Sequence, residues 1–409
     1  MKYYRDLAPP PRTIMTPGPV EVDPRVLRAM SYPILGQFDP EFTALMNETM
    51  DMLRSVFMTD NKWAYPVDGT SRSGIEAVLV SLIEPGDRVL VPIYGRFGHL
   101  LVEISKRCGA EVVTLEKEWG SVFAPEEIVA AIRKFRPKLV AVVHGETSTG
   151  RLQPLEGISE ACREADALLV VDAVATIGGV KVAADEWGID AVIGGTQKCL
   201  SVPAGLAPIT YNSRAEAKLL KRKRIERGLL MGDEAQDPAF RPIQSNYLDL
   251  SQLQDYWSPA RLNHHTEATT MLYALREGLR LVLEEGLEER FARHRLQERA
   301  LVAGIEAMGL GLYGDPASKM PVVTCIEIPD GIDGEAVRSM LLGDFGIEIA
   351  SSFGPLKGRI WRIGTMGYSC SKRNVLLTLG ALEAVLLRHG CKLEAGAAVQ
   401  AAMDVYKMG

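Results

Sequence analysis

The stretch LLVVDAV, residues 168–174, decides the fold class, because it is a short apolar run that ends in an acid. Consecutive apolar residues rich in valine are typical of a strand buried on both faces of a parallel sheet. Asp172 then stands at the carboxyl end of that strand, where open α/β sheets bind their ligands. An ion pair or a helix cap would also explain such an aspartate, so Asp172 alone does not establish a site.

Outward from this strand, short β-branched runs alternate with amphipathic stretches of helix length from about residue 23 to residue 195. The alternation predicts βαβ units around a mostly parallel sheet, and therefore an α/β fold. Pro or Gly ends most of the predicted helices for backbone reasons. The predicted pairs of helix and strand are 71–83 with 88–93, 96–107 with 111–115, 125–135 with 138–144, and 155–165 with 167–172.

The second half of the chain has longer helical stretches after Ile209, and a separate α+β segment begins at about residue 277. We therefore expect an N-terminal arm of residues 1–18, a large domain of residues 19–276 and a small C-terminal domain of residues 277–409. The small domain's predicted elements are a helix at 283–308, strands at 322–328 and 347–351, and a closing helix at 374–388.

The composition favours small-molecule substrates or protein partners over nucleic acid. The 409 residues carry a formal net charge of −6, which gives no overall attraction to polyanions. The run 218–227 contains six basic residues, but a solvated helix face explains them better than a nucleic-acid patch. The sequence shows neither a signal-peptide core nor an apolar run of membrane length, so we expect a cytoplasmic protein that does not bind membranes.

The cysteine pattern supports the same compartment. The six cysteines are scattered, with no CxxC pair and no Cys/His cluster at zinc spacing. This predicts free thiols in a reducing cytosol and no structural metal.

The stretch GGTQKCL, residues 194–200, supplies a candidate reactive residue. Lys198 follows another short apolar strand, 191–193, and the two glycines let the backbone approach a ligand closely. A single lysine is usually a surface residue, but the next two residues, a cysteine and a leucine, are not surface types. With Asp172, Lys198 supplies what pyridoxal phosphate needs: an amine for a Schiff base, and an anion that keeps the pyridine nitrogen protonated.

A phosphate site is predicted at the turn DGTSRSG, residues 68–74, which stands at the start of a predicted helix. The side chains of Thr70, Ser71 and Arg72 add donors to the backbone amides there. The spacing GxxxxG resembles a P-loop, but Ile-Glu follows where Lys and Ser or Thr are required. No GxGxxG follows a strand either, which weakens a dinucleotide dehydrogenase. A helix cap alone is the alternative explanation of the turn.

Three further features would complete such a site. Tyr94 ends strand 88–93 and can stack on a pyridine ring, although most tyrosines only pack. The turn 144–150 offers hydroxyls that suit the cofactor's phenolic oxygen, or it is an ordinary turn. Arg362 lies in an apolar run, where its guanidinium needs an anion, either a substrate carboxylate or a structural salt-bridge partner.

Five segments, in this order, are similar to those of the class V aminotransferases of fold type I: TPGPVEVDP, VHGETSTG, VDAVATIGG, GGTQK and WRIG. The resemblance covers nearly the whole chain, from about Thr16 to His389. It implies a mostly parallel sheet of about seven strands and a smaller α+β domain. It also implies Lys198 as the Schiff-base lysine, Asp172 on the pyridine nitrogen, Val174 and Tyr94 on the two ring faces, Thr70, Ser71, Arg72 and Gln197 on the phosphate, Thr147 on the phenolic oxygen and Arg362 on the substrate carboxylate.

The same resemblance implies the assembly. In this family Thr266, in LNHHTEAT, would reach the phosphate of the neighbouring subunit. A homodimer with shared active sites is therefore the expected state of the protein.

Two positions indicate the amino donor. Gln37 stands where relatives commonly carry His, and Asn263 stands where they commonly carry Tyr. Two carboxamides suit a urea-like group, and a site that pairs such a group rejects an alkyl analogue. The combination resembles the (S)-ureidoglycine:glyoxylate aminotransferases of bacterial purine breakdown, which implies conversion of ureidoglycine and glyoxylate to oxalurate and glycine. Ordinary polar packing is the alternative explanation of both side chains.

Three other functions compete with this one. An alanine or serine:glyoxylate aminotransferase would run the same chemistry with another donor. A desulfurase needs a cysteine on a mobile loop of the small domain, and neither Cys325, in a strand-like run, nor Cys370 suits that role. A non-catalytic ligand-binding or regulatory protein would hold no cofactor.

Overall fold

The computed structural model describes residues 4–226, 228–229 and 240–408. None of the helices in these ranges is both long and apolar enough to span a bilayer. The strands are β1 (Thr13–Ile14), β2 (Trp63–Gly69), β3 (Arg88–Ile93), β4 (Glu111–Glu116), β5 (Leu139–Val143), β6 (Gly145–Glu146), β7 (Arg151–Leu152), β8 (Leu168–Asp172), β9 (Ala191–Ile193), β10 (Gly205–Tyr211), β11 (Val323–Glu327), β12 (Ile347–Glu348), β13 (Ala350–Ser351) and β14 (Ile360–Gly364).

Helices occupy both faces of the main sheet and much of the C-terminal third of the chain. They are α1 (Pro24–Ala29), α2 (Pro40–Phe57), α3 (Ser71–Leu82), α4 (Arg96–Arg107), α5 (Pro125–Phe135), α6 (Ile158–Glu164), α7 (Ser213–Leu220), α8 (Leu250–Trp257), α9 (Thr269–Glu285), α10 (Leu287–Ala307), α11 (Gly334–Phe345), α12 (Lys372–Arg388) and α13 (Ala397–Met408). The bounds of β3, β9, α4 and α5 are those that the sequence predicts.

The large domain is built on a sheet of seven strands in the order β2-β10-β9-β8-β5-β3-β4. Only β10 runs antiparallel to its neighbours in this sheet. The prediction of an α/β fold with a mostly parallel seven-stranded sheet is therefore confirmed. Asp172 pairs with Val143 on one side and with Ile193 on the other. The carboxyl ends of β5, β8 and β9 thus lie side by side, and the residues that follow them meet at one edge of the sheet.

The sequence pattern does not reveal β2 and β10, and both strands contain a proline. Pro66 and Pro208 lie opposite each other in the register of the pair. Because proline cannot donate a ladder hydrogen bond, its presence argues against a strand when only the sequence is considered. The carbonyl of Pro208 accepts from the amide of Gly194 at 2.7 Å, so the polar backbone groups of Pro208 face the end of β9. Those of Pro66 then point away from β10, at the edge of the sheet, where a proline costs no ladder hydrogen bond.

The small domain packs α10 to α13 against a three-stranded antiparallel sheet in the order β11-β14-β13. The predicted boundary between residues 276 and 277 falls inside α9 and is wrong. That helix is continuous, and Leu279 and Val282 lie in the core of the large domain. Gly286, with φ +86°, separates α9 from α10 because few other residues adopt this backbone conformation.

The N-terminal arm belongs structurally to the small domain. β1 pairs in parallel with β12, and Met15 is fully buried in the small domain's core. The amide of Gly364 also donates to the carbonyl of Met15 at 2.8 Å. The arm therefore crosses from the small domain to the edge of the large one.

The basic run 218–227 is not a solvated helix face, which corrects that prediction. α7 ends at Leu220, and Arg222 is buried. Its guanidinium donates at 2.8–3.2 Å to the carbonyls of Val80, Ser81 and Ile83, at the C-terminal end of α3. Cations are favourable there because the last carbonyls of a helix lack intrahelical partners. Arg227 lies outside the described residues.

Candidate active site

A cavity of about 220 Å³ opens where β5 and β8 end and α3 begins. This is the ligand-binding edge of an open α/β sheet. Most of the residues that the sequence assigns to a cofactor site lie on its walls. The cavity is lined by Thr70, Ser71, Arg72, Ile75, Phe97, Leu100, Val143, Gly145, Thr147, Asp172, Val174, Ala175, Gln197 and Lys198.

Lys198 is partly buried in the loop between β9 and β10 and lines this cavity. Its ammonium donates to the carbonyl of Pro17 in the N-terminal arm. Burial, and next the positive charge of Arg362, lower the pKa of Lys198 to about 8. A much larger fraction of the amine is therefore neutral at physiological pH than for an ordinary lysine. A neutral amine is the form that acts as a nucleophile or a base.

The arm reaches Lys198 at a glycine. Gly18 has φ +97°, and a Cβ atom there would lie 2.7 Å from the Nζ atom of Lys198. No other residue fits this position without displacing the lysine.

Asp172 lies at the end of β8 and is 5% exposed. One carboxylate oxygen accepts a hydrogen bond from the amide of Val174 at 3.0 Å. The other oxygen has no hydrogen-bond partner among the described residues. Burial raises the pKa of Asp172 to about 6. A cationic N–H group placed in the cavity would pair with the free oxygen and offset the cost of its burial.

The start of α3 lines the end of the cavity that is suited to an anionic ligand. Thr70 is the N-cap residue, and its hydroxyl makes no capping hydrogen bond. The hydroxyl of Ser71 and the side-chain amide of Gln197 hydrogen-bond at 2.9 Å. A Cβ atom on Gly195 would lie 2.6 Å from the Ser71 hydroxyl and 2.8 Å from Val174. The glycine thus keeps this end open, and the free amides of the first helical turn suit a phosphate.

Tyr94 does not lie on the cavity wall, which corrects its prediction as a stacking residue. The ring is fully buried, and its hydroxyl donates to the carbonyl of Val143 at 2.5 Å. Phe97, in the first turn of α4, is the aromatic residue that lines the cavity. The side chain that directly follows β3 turns into the core, whereas the helix start lies over the strand ends. The predicted start of helix 96–107 was the available signal for Phe97.

Glu146 is a second residue that the sequence does not single out. It is fully buried, and burial raises its pKa. Its carboxylate accepts from the amide of Phe97 at 2.8 Å and from the hydroxyl of Ser148 at 2.6 Å. It therefore fixes the start of α4 against the turn that carries Thr147. Glu146 does not itself line the cavity. Its role is to position Phe97 and the turn that carries Thr147, which do line it.

Arg362, on β14, connects the small domain to the site. It is 6% exposed, and its guanidinium donates to the carbonyl of Ser351 at 2.7 Å and to that of Thr147 at 2.9 Å. The guanidinium carbon also lies 4.8 Å from the ring centre of Phe353. Burial lowers the pKa of Arg362. Among the described residues no carboxylate pairs with it, so the structural salt bridge considered above is not found in that part of the chain.

Gln37 and Asn263 converge, although they are far apart in sequence. The Gln37 amide donates to the Asn263 carbonyl at 3.2 Å. Gln37 Oε1 is buried without a hydrogen-bond partner among the described residues. Neither side chain lines the cavity around Lys198 of the same chain, and Thr266 is exposed.

Comparison with known proteins gives the same picture from sequence and structure. The class-V aminotransferase profile matches residues 34–357. An (S)-ureidoglycine–glyoxylate transaminase from Bacillus subtilis (strain 168) is 70% identical over 408 residues, which cover 100% of this chain and 98% of the relative. The crystal structure of ureidoglycine-glyoxylate aminotransferase from Bacillus subtilis has a TM-score of 0.94 at 68% identity and covers 98% of this chain and 100% of that chain. An alanine–glyoxylate aminotransferase from Callithrix jacchus is 35% identical over 386 residues, covering 93% of this chain and 89% of the relative.

Proposed function

The chain belongs to the class V aminotransferases of fold type I, and we propose that it transfers the amino group of (S)-ureidoglycine to glyoxylate, giving oxalurate and glycine. One observation carries the choice of donor. Gln37 and Asn263 form a bonded carboxamide pair, and Gln37 keeps an unpartnered buried oxygen. A ureido group has N–H donors for that oxygen and a carbonyl for a side-chain amide. The methyl group of alanine would satisfy neither.

The cofactor of this family is pyridoxal 5′-phosphate, and the residues of the cavity fit it. Asp172 is a buried acid with a free oxygen, and Lys198 is a desolvated amine on the same cavity wall. Gly195 leaves space beside the donors at the start of α3. We propose that Thr70, Ser71, Arg72 and Gln197 hold the phosphate, that Val174 and Phe97 contact the two ring faces, and that Thr147 bonds the phenolic oxygen.

When bound, the cofactor withdraws electrons from the substrate's Cα atom, which makes the proton there removable. Lys198 would take the Cα proton as a general base and hold it for return as a general acid. Its pKa of about 8 suits both directions near neutral pH. Asp172, as a carboxylate, keeps the pyridine nitrogen protonated. Amino donor and acceptor bind in turn, so we expect ping-pong kinetics.

Arg362 supplies the contact that both substrates need. Ureidoglycine and glyoxylate each carry a carboxylate, and a guanidinium binds a carboxylate through two parallel hydrogen bonds. The carbonyls of Ser351 and Thr147 fix the orientation of Arg362. The residue therefore orients the Cα atom toward Lys198 in both half-reactions.

The donor site needs a second subunit in this proposal. Gln37, Asn263 and Thr266 lie outside the cavity lining of their own chain. Tyr32, Ile34 and Phe38 beside Gln37 are between 57% and 64% exposed, as expected of a surface that another chain covers. We therefore propose a homodimer in which each subunit's carboxamide pair and Thr266 complete the partner's cavity.

The state of the cysteines supports a cellular compartment for the enzyme. All six cysteines are free thiols, four of them buried. This suits a reducing compartment, so we place the enzyme in the cytoplasm. The proposed substrate, ureidoglycine, places its reaction in the breakdown of purines.

A donor screen tests the proposed function. Glycine formation from glyoxylate is measured with ureidoglycine, alanine and serine as alternative donors. We expect kcat/KM for ureidoglycine to exceed that for alanine at least about 100-fold, because unpaired polar groups discriminate strongly. The reverse order would make the protein an alanine:glyoxylate aminotransferase. A colourless preparation that takes up no pyridoxal phosphate would indicate a non-catalytic binding protein.

A further inference from the structure

Three ionisable side chains form a cluster outside the cavity described above. Asp68 is the next-to-last residue of β2, and His265 and Glu267 flank Thr266. One ligand atom from each side chain lies within 4.8 Å of the other two. The Nε2 atom of His265 is 3.3 Å from Asp68 Oδ2 and 3.6 Å from Glu267 Oε2. An imidazole and two carboxylates are a common ligand set for divalent metals.

Glu267 is buried in a way that requires a positive partner. It is 4% exposed, and neither of its carboxylate oxygens accepts a hydrogen bond from an N–H or O–H donor among the described residues. Burial, and next the negative charge of Asp68, raise its pKa. Arg261 acts on Glu267 through its charge alone, because its guanidinium donates to Asn47 at 2.6 Å and to two backbone carbonyls. A buried carboxylate without a partner is costly, so a cation or a proton must compensate it.

The tautomers of two neighbouring histidines decide what His265 offers to the cluster. His264 Nε2 lies 3.2 Å from the backbone carbonyl of Asn246, which only accepts, so the proton of His264 is on Nε2. The Nδ1 atoms of His264 and His265 are 2.9 Å apart, and His265 must be the donor. With its Nδ1 proton donated to His264, His265 directs Nε2 toward Asp68 and Glu267. Metal-binding histidines show this arrangement, with the other ring nitrogen donating a hydrogen bond.

The separations between His265 Nε2 and the two carboxylates fit a bound metal ion. His265 Nε2 makes no hydrogen bond with either carboxylate, despite their closeness. Ligands at about 2.0–2.2 Å from a tetrahedral zinc ion lie roughly 3.3–3.6 Å from one another. The two observed separations from Nε2, 3.3 and 3.6 Å, fall in that range. The ring of His265 is also held in place by Tyr256, with 4.7 Å between the ring centres.

We propose that Asp68, His265 and Glu267 bind a divalent transition-metal ion, with Zn²⁺ as the ion that fits best and water as the remaining ligand. The ion would join the end of β2, which leads directly into Gly69 and Thr70, to the segment that carries Thr266. It orders two parts of the chain that lie about 200 residues apart in sequence and has no part in the chemical step.

Metal content and zinc titration of the holoenzyme test this site. The wild type, Glu267→Gln and the matched surface variant Glu103→Gln are purified with pyridoxal phosphate bound, treated with chelator and titrated with Zn²⁺ by calorimetry. We expect about one zinc ion per subunit in the wild type and in Glu103→Gln, and binding weakened at least about 100-fold in Glu267→Gln. The chelator lowers the Tm of the wild type and leaves that of Glu267→Gln unchanged.

Two results would overturn the metal site. The first is equal Zn²⁺ binding by the wild type and Glu267→Gln, and the second is a wild type that binds no Zn²⁺. A chelator-insensitive wild type that is less stable than Glu267→Gln would mean that the cluster holds only a proton. If Glu267→Gln does not fold, Asp68→Asn replaces it in the same titration, with the cofactor's visible absorbance as the check on folding.

Discussion

Lys198 and Asp172 lie in a cavity formed by the core of the large domain, whereas Gln37 and Asn263 lie outside its lining. The first pair has backbone and core contacts that fix its position within one chain. The second pair has one mutual bond at 3.2 Å and a surface around it. Buried groups therefore set the reaction, while donor selection depends on a surface that, in our proposal, a second subunit completes.

The largest expected effect is at the buried pair. Lys198→Ala removes the group that moves the proton at the substrate's Cα atom, so we expect kcat to fall at least about 10⁴-fold with every donor. The visible absorbance of the lysine-bound cofactor should also disappear. Lys106→Ala, at an exposed position of α4, is the control. A Lys198→Ala enzyme that stays coloured and active would refute the assignment.

Substitution of Gln37 and Asn263 should change which amino donor is preferred and leave the proton-transfer step unaffected. The double variant Gln37→His with Asn263→Tyr removes both carboxamides, so we expect kcat/KM for ureidoglycine to fall about 100-fold. The absorbance of the bound cofactor and the activity with alanine should be retained. Equal losses with both donors would show that the two regions are not separable in function.

Phe97 and Tyr94 provide a sharper test inside the first region. Phe97→Leu removes a ring contact, and we expect cofactor affinity to fall about tenfold. Tyr94→Phe leaves the carbonyl of Val143 without its hydroxyl partner, so it should lower the free energy of unfolding by about 1 kcal/mol and leave cofactor affinity unchanged. Cofactor titration and denaturant unfolding of both variants separate the two roles. If Tyr94→Phe weakened cofactor binding and Phe97→Leu did not, Tyr94 would be the stacking residue.

The smallest effect concerns the charge that the small domain places near the lysine. Only the neutral amine reacts with the cofactor, so uptake by the apoenzyme should rise with pH, with a midpoint at about 8. Arg362→Gln removes a positive charge that lowers the pKa of Lys198, so the midpoint should move up by less than about one pH unit. Arg362→Lys keeps the charge and should leave it in place. An unchanged midpoint in Arg362→Gln would mean that burial alone sets the pKa.

The sequence was informative where local pattern and backbone chemistry agree. Continuous apolar runs and clear Pro or Gly punctuation predicted β3, β9, α4 and α5 with their bounds. Local pattern failed for β2 and β10, whose prolines are tolerated because Pro66 lies on the edge strand and the nitrogen of Pro208 faces the end of β9. It failed again at the domain boundary, because the helical pattern runs through residue 276 without a break until Gly286.

The candidate site shows the same division. Asp172, Lys198 and the start of α3 were predictable, since each follows a strand or begins a helix at one edge of the sheet. The bond between Gln37 and Asn263 was not, because it joins positions 226 residues apart on irregular segments. Tyr94 and Phe97 are separated by only three positions, and the direction of a side chain after a strand is set by tertiary packing.

Gly18 has a consequence for how this enzyme tolerates mutation. A side chain at that position would collide with Lys198, and the left-handed backbone there excludes most residues in any case. Position 18 makes no contribution to proton transfer, yet it should accept as few substitutions as position 198 itself. In a saturation screen for activity, position 18 should therefore be intolerant without being catalytic, and this intolerance would mark contact with the reactive amine rather than chemistry.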